Sequence, residues 1–331
     1  MKNTLMNKTK LKFHFNGYAY IAHLATIGHD KMVEKGIEES PEVIYQAIYG
    51  YGVAENIKAM KTLISESQDK MKATKMAIRG LVRGHHLEEL YKIKDYRNYK
   101  ADIVFGYAQA TNEHIVSNIV NKDPSLFKVA VQGYASVGYA RALLDLVRGT
   151  QFYGEAIFQA SKAGHVGLVN QLLEEVGFRE DLNSVVNKEK IRLLGFLNKA
   201  LSGYCKGFHL EAAADLLTKG GNIQTALDAL KVEGKPCLDS YIGLYILTPD
   251  EKSKALLEQI QTELTLNDAS LSSAQMKMIK KLQGEYRRSD SSFVSFLSEL
   301  SSEGLSVFEV FDDYFSPTSV SRNSSKEGLW E

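Results

Sequence analysis

The sequence predicts an all-α protein made of short, paired helices. Three observations carry this reading: prolines confined to helix starts, apolar residues recurring at three and four, and a glycine-anchored pattern returning about every 27 residues. Only five prolines occur in 331 residues. Four follow a residue whose side-chain oxygen can cap a helix: Ser40-Pro41, Asp123-Pro124, Thr248-Pro249 and Ser316-Pro317. Proline suits the first helical position because the N–H it lacks has no partner there, while the residue before it accepts from a free backbone donor. Thr248 with Glu251, and Ser272 with Gln275, have the spacing of a capping box. Leu256, Leu257, Ile260 and Leu264 then form one helical stripe, and Met276, Met278, Ile279 and Leu282 a second. No stretch alternates apolar and polar residues between hairpin turns, so no sheet is expected.

The repeat is clearest in QASKAGHVGLVNQLL (159–173), with copies in RGLVRGHHLEELYKI (79–93), YGYGVAENIKAMKTL (49–63), HLATIGHDKMV (23–33) and SGYCKGFHLEAAADLL (202–217). Each copy has a small or apolar anchor, a short turn, a polar residue and an amphipathic run. The anchors are Leu24, Gly50, Gly80, Gly106, Gly133, Ala160 and Gly203, and an insertion near 178–190 precedes the last. This predicts a first helix (A), a tight turn and a second helix (B). The small anchor lets helix A approach its neighbour, and Gly84, Gly164 or Gly207 is expected in the left-handed conformation that ends helix A. His29, His85 and His165 fall just after that turn, which argues for one shared structural role. A lone pair of short helices cannot bury its apolar face, so the pairs are expected to stack as an α-solenoid.

The segment A-S-K-A-G-H-V-G-L-V-N-Q-L-L, with GHDKMV, GHHLEEL and GFHLEAAADLL as diverged copies, resembles the helix–turn–helix part of an ankyrin repeat over roughly residues 17–230. The family's period is longer, and its Thr-Pro-Leu-His opening and Gly-Ala-Asp β-finger are missing here. The resemblance therefore implies a shortened ankyrin-like array with loops in place of hairpins, and leaves open a different α-α solenoid. The organisation expected is an N-terminal arm (1–16), the array (17–233), a C-terminal helical cap or subdomain (234–315) and a flexible serine-rich tail (316–331), with KVEGKPCLDS (231–240) as the boundary. Serine-rich tails of this composition resemble the translocation signals of bacterial type IV-secreted effectors. That similarity implies delivery into a host cell cytosol; otherwise a cytoplasmic protein is expected.

Forty basic and forty acidic residues cancel, so no net electrostatic attraction to nucleic acid or anionic lipid is expected. The longest apolar run, YIGLYIL (241–247), is far shorter than the roughly 18 residues of a membrane span, and the lysine-bearing start does not read as a secretory signal. Two cysteines, Cys205 and Cys237, cannot form a disulfide framework or a four-ligand zinc site. No Walker, dinucleotide, nucleophile-elbow or zinc-protease motif is present. His85 with Glu89 lacks a third ligand, and Cys205 with His209 reads better as repeat punctuation than as a nucleophile and its base. No cofactor, metal or catalytic residue is therefore expected.

The residue before each anchor is expected to face the concave surface, aligning His23, Tyr49, Arg79, Phe105, Gln132 and Gln159 in a row that binds a partner. Tyrosine, phenylalanine and arginine are types enriched at interface hot spots. The function expected is a monomeric, non-catalytic scaffold that binds another protein. The alternative class is an enzyme or enzyme regulator with its site where the repeats meet the C-terminal helices.

Overall fold

The computed structural model describes residues 20–178, 187–231 and 238–266, with a few more between 277 and 288. Among these, every regular element is a helix. After α1 (20–26) come α2 (Asp30–Glu39), α3 (Ile44–Val53), α4 (Ile57–Glu66), α5 (Lys70–Arg83), α6 (Leu87–Tyr91), α7 (Lys100–Gln109) and α8 (Glu113–Lys122). They are followed by α9 (Phe127–Val137), α10 (Ala140–Val147), α11 (Tyr153–Lys162), α12 (Val166–Glu175) and α13 (Asn187–Lys206). The remaining helices are α14 (Leu210–Thr218), α15 (Ile223–Leu230), α16 (Leu238–Leu247) and α17 (Asp250–Leu266). The chain divides into two compact units after His209.

In the first unit the odd-numbered helices pack on one another in order: α3 on α5, α5 on α7, α7 on α9, α9 on α11 and α11 on α13. Small residues permit this. A Cβ on Gly50 would lie 2.2 Å from the Ala22 carbonyl oxygen, on Gly80 2.3 Å from that of Tyr49, and on Gly203 2.5 Å from that of Phe158. Three of the expected anchors, Gly50, Gly80 and Gly203, thus sit where two helix backbones meet.

One turn joins each odd helix to the next. Gly28, Glu55, His85, Thr111, Gly138, Gly164 and Phe208 all have φ between 57° and 80°. Each donates its N–H to the carbonyl three residues back, and the following residue donates to the carbonyl five back, as in His86 to Leu81 at 2.8 Å and His165 to Ala160 at 3.0 Å. This pair of bonds is the Schellman ending of a helix. That following residue, His29, Asn56, His86, Asn112, Tyr139 or His165, is at once the N-cap of the next helix, with φ near −80° and ψ from 59° to 82°.

This geometry corrects the register at several points. The left-handed residue is Gly164 as expected, but Gly84 has φ −78° and the position falls to His85, while beside Gly207 it falls to Phe208. The partner of His29 and His165 is therefore His86 rather than His85. Gly84 and Gly207 are small for a different reason: a Cβ on them would meet the Val53 and Lys162 carbonyls at 2.5 and 2.2 Å. Counting back from the turns, the residues aligned with Gly50 and Gly80 are His23 and Gln159, each one residue before the expected Leu24 and Ala160.

Ser40-Pro41 and Asp123-Pro124 do open helical segments, as 3₁₀ turns leading into α3 and α9, although neither side chain caps them. Asn56, Asp69, Asn112 and Asn222 provide side-chain caps instead. Thr248 precedes α17, and the Glu251 side chain with which a capping box is expected lies outside the described residues. The Thr248 hydroxyl donates back to the Leu244 carbonyl at 2.7 Å. Ser272, Ser316 and the 316–331 tail lie outside the described residues.

In the second unit α14 packs on α16, and α17 touches α14, α15 and α16. The apolar run of α16 is buried almost all round, and Leu256, Ile260 and Leu264 of α17 face inward. Glu263 on α17 accepts from Gln224 at 2.6 Å and pairs with Lys231 at 3.0 Å, joining α17 to the two ends of α15.

Candidate functional site

Because the odd helices stack in register, corresponding positions fall side by side. Two of the six row residues, Arg79 and Phe105, meet directly, and a third, Tyr49, is bonded to residues one helical turn further along the neighbouring helices. The Arg79 guanidinium lies 4.5 Å from the centre of the Phe105 ring and bonds Asp102 at 2.7 Å, and Asp102 is itself buried. The Tyr49 hydroxyl accepts from Arg83 and donates to Gln109 at 2.9 Å. Gln109 then donates to Ser136 at 3.1 Å, and Ser136 to the Gly133 carbonyl at 2.7 Å. A single chain of hydrogen bonds therefore crosses α3, α5, α7 and α9. Burial pushes the Tyr49 phenol up, with Arg83 opposing, so it stays protonated and serves as a donor.

Gln132 and Gln159 meet at a second centre. Both side-chain amides donate to Glu155, at 2.8 and 3.0 Å, and Lys128 approaches the other carboxylate oxygen at 3.3 Å. Burial acts to raise the Glu155 carboxyl, but these donors outweigh it and hold the group below its usual range. His23 is exposed. In the corrected register His23 and Gln159 lie at the anchor position itself. The residues aligned with Tyr49 and Arg79 are Ala22 and Phe158, and Lys206 lies 5.6 Å from the centre of the Phe158 ring.

Arg83, Asp102, Gln109, Glu155 and Phe158 were not anticipated. Arg83 and Gln109 stand four residues after Arg79 and Phe105, one helical turn along the same face, which is the signal that could have found them.

Three histidines at the recurring turn, His86, His165 and His209, are structural. Nε2 of His86, His165 and His209 lies 2.9, 3.1 and 3.2 Å from the carbonyls of Val53, Ser136 and Lys162, each at the C-terminal end of the preceding odd helix. A carbonyl can only accept, so the ring proton sits on Nε2 and satisfies an oxygen with no partner inside its own helix. Cys205 occupies the small buried position that Gly52, Val82 and Ser161 fill in other copies. Its thiol is fully buried and pushed up to about 12, so it is not a thiolate at neutral pH. His209 faces the Lys162 carbonyl and the edge of Tyr204. Glu89 pairs with Lys92, and His85 is exposed. Among the described residues no three His, Cys, Asp or Glu side chains group as a metal site, and no helix is long and apolar enough to cross a membrane. No protein-family model, curated protein or solved structure matches the chain.

Proposed function

We propose that the chain is a protein-binding scaffold without chemistry of its own, built as a shortened ankyrin-like α-solenoid whose odd helices present the partner-binding face. One observation carries this reading: Tyr49, Arg79 and Phe105 sit half-buried on three odd helices packed in order, with Tyr49 hydrogen-bonded to Arg83 and Gln109 of the next two and Arg79 stacked on Phe105. A preformed surface of this kind loses little side-chain entropy on binding, and tyrosine and arginine are the residue types that dominate interface energetics. The environment of Cys205 argues against the nucleophile alternative.

The test is affinity capture from cell lysate with the intact chain and with a Tyr49→Ala, Arg79→Ala, Phe105→Ala variant whose circular dichroism matches. Retention of a partner by the intact chain and its loss from the variant is expected. Equal capture by both overturns the proposed face.

A further inference from the structure

The zero net charge conceals a segregation by helix. The odd helices α1 to α11 carry eight basic and two acidic residues, whereas the even helices α2 to α12 carry six basic and eleven acidic. Helix α5 alone has five basic residues and no acid, and α13 adds Lys199 and Lys206 at positions matching the same face. The two acids on this face are already engaged: Asp102 is buried against Arg79, and Glu155 is held by Lys128 and two glutamines. Lys162, Lys199 and Lys206 are exposed.

One position makes a ladder. One helical turn after Arg79 the stacked helices present Arg83, Gln109, Ser136, Lys162 and Lys206, one side chain with an N–H or O–H donor per helix from α5 to α13. Packed helices lie about 8–10 Å apart, and an extended peptide in the polyproline II conformation rises about 3.1 Å per residue with three residues per turn. Three peptide residues therefore span one helix spacing and return the side chain to the same side, so acidic residues at that period would face Arg83, Lys162 and Lys206, while Gln109 and Ser136 already donate within the row. A nucleic acid fits less well. Single-stranded binders stack bases on open aromatic faces, but here neighbouring cations already cover the rings: Arg79 covers Phe105, Arg83 covers Tyr49, Lys206 covers Phe158 and Lys72 covers Tyr45.

We propose that the odd-helix face takes an extended acidic polypeptide segment lying across the helices, a statement that rests on the scaffold reading and names the chemistry of its partner. The test is a fluorescence-anisotropy titration of the full chain with a labelled peptide of Glu-Ser-Ser repeats about 18 residues long, alongside its Gln-Ser-Ser counterpart and a single-stranded oligothymidylate. Tighter binding of the Glu peptide is expected. Lys162→Glu, Lys199→Glu and Lys206→Glu together should weaken it about tenfold. The same three residues changed to Gln should weaken it less, in the same direction. Lys31→Glu, Lys58→Glu and Lys122→Glu, which change net charge equally on even helices, should leave it within about twofold. Equal losses from the two Glu triples, no binding of the Glu peptide, or tighter binding of the oligothymidylate each overturn the proposal. If the peptide fails while lysate capture still depends on Tyr49, Arg79 and Phe105, the acidic partner is refuted and the scaffold reading stands. If capture is also indifferent to those residues, both fall.

Discussion

His209 shows how a single residue links the repeat to pH. Burial holds its ring below the ordinary histidine range, although the bond to the Lys162 carbonyl opposes that shift. The unfolded chain therefore takes up the proton first as pH falls. The stability this neutral ring supports is fully present above about pH 6.5 and is lost as pH drops through the lower folded value. Thermal melts between pH 7.5 and 5 should show the intact chain losing stability in this window and His209→Asn losing less. Identical pH profiles would remove His209 as the cause. The sequence made the recurrence of histidine visible, and with it a structural role, but it could not show that the role is donation to a neighbouring repeat. That bond depends on an oxygen 47 residues away in the chain for His209. The same limit applied to Tyr49, whose partners Arg83 and Gln109 are 34 and 60 residues distant.

Among the elements, the glycines separate close contact from mere helix composition. Gly80 lies inside α5 with the Tyr49 carbonyl oxygen 2.3 Å from where a Cβ would sit, and backbone cannot move aside as a flexible side chain can. Gly80→Ala should cost about 1–3 kcal/mol by forcing α3 and α5 apart. Gly167 is also inside a helix, with nothing within 4 Å of its Cβ position. Gly167→Ala should stabilise by about 0.5–1 kcal/mol through helix propensity alone. Urea denaturation of both variants checks the pair, and similar effects of the two would contradict the stacking contact. The helices themselves were legible because each carries its own apolar period, as the Leu256–Leu264 stripe does. The turn register was not, because the left-handed position accepts Glu55, His85, Thr111 and Phe208 as well as glycine. What fixes the position is the backbone bonding that ends helix A, so identifying the turn by its glycine misplaced it by one residue at His85 and Phe208.

At the scale of the whole molecule, composition misled where topology informed. A net charge of zero argued against electrostatic recognition, yet alternation of basic and acidic helices separates the charges onto different elements. The odd helices from α3 to α13 pack on one another in order, which brings their charges together. Reading charge by repeat position, rather than summing it, would have revealed the separation from the sequence. The most direct measurement of the proposed binding face is lysine-acetylation footprinting by mass spectrometry, with and without the partner retained by affinity capture. Protection of Lys162, Lys199 and Lys206, with Lys31, Lys58 and Lys122 acetylated as in the unbound chain, is the predicted result. Protection confined to lysines of the even helices, or to those beyond Leu210, would contradict it.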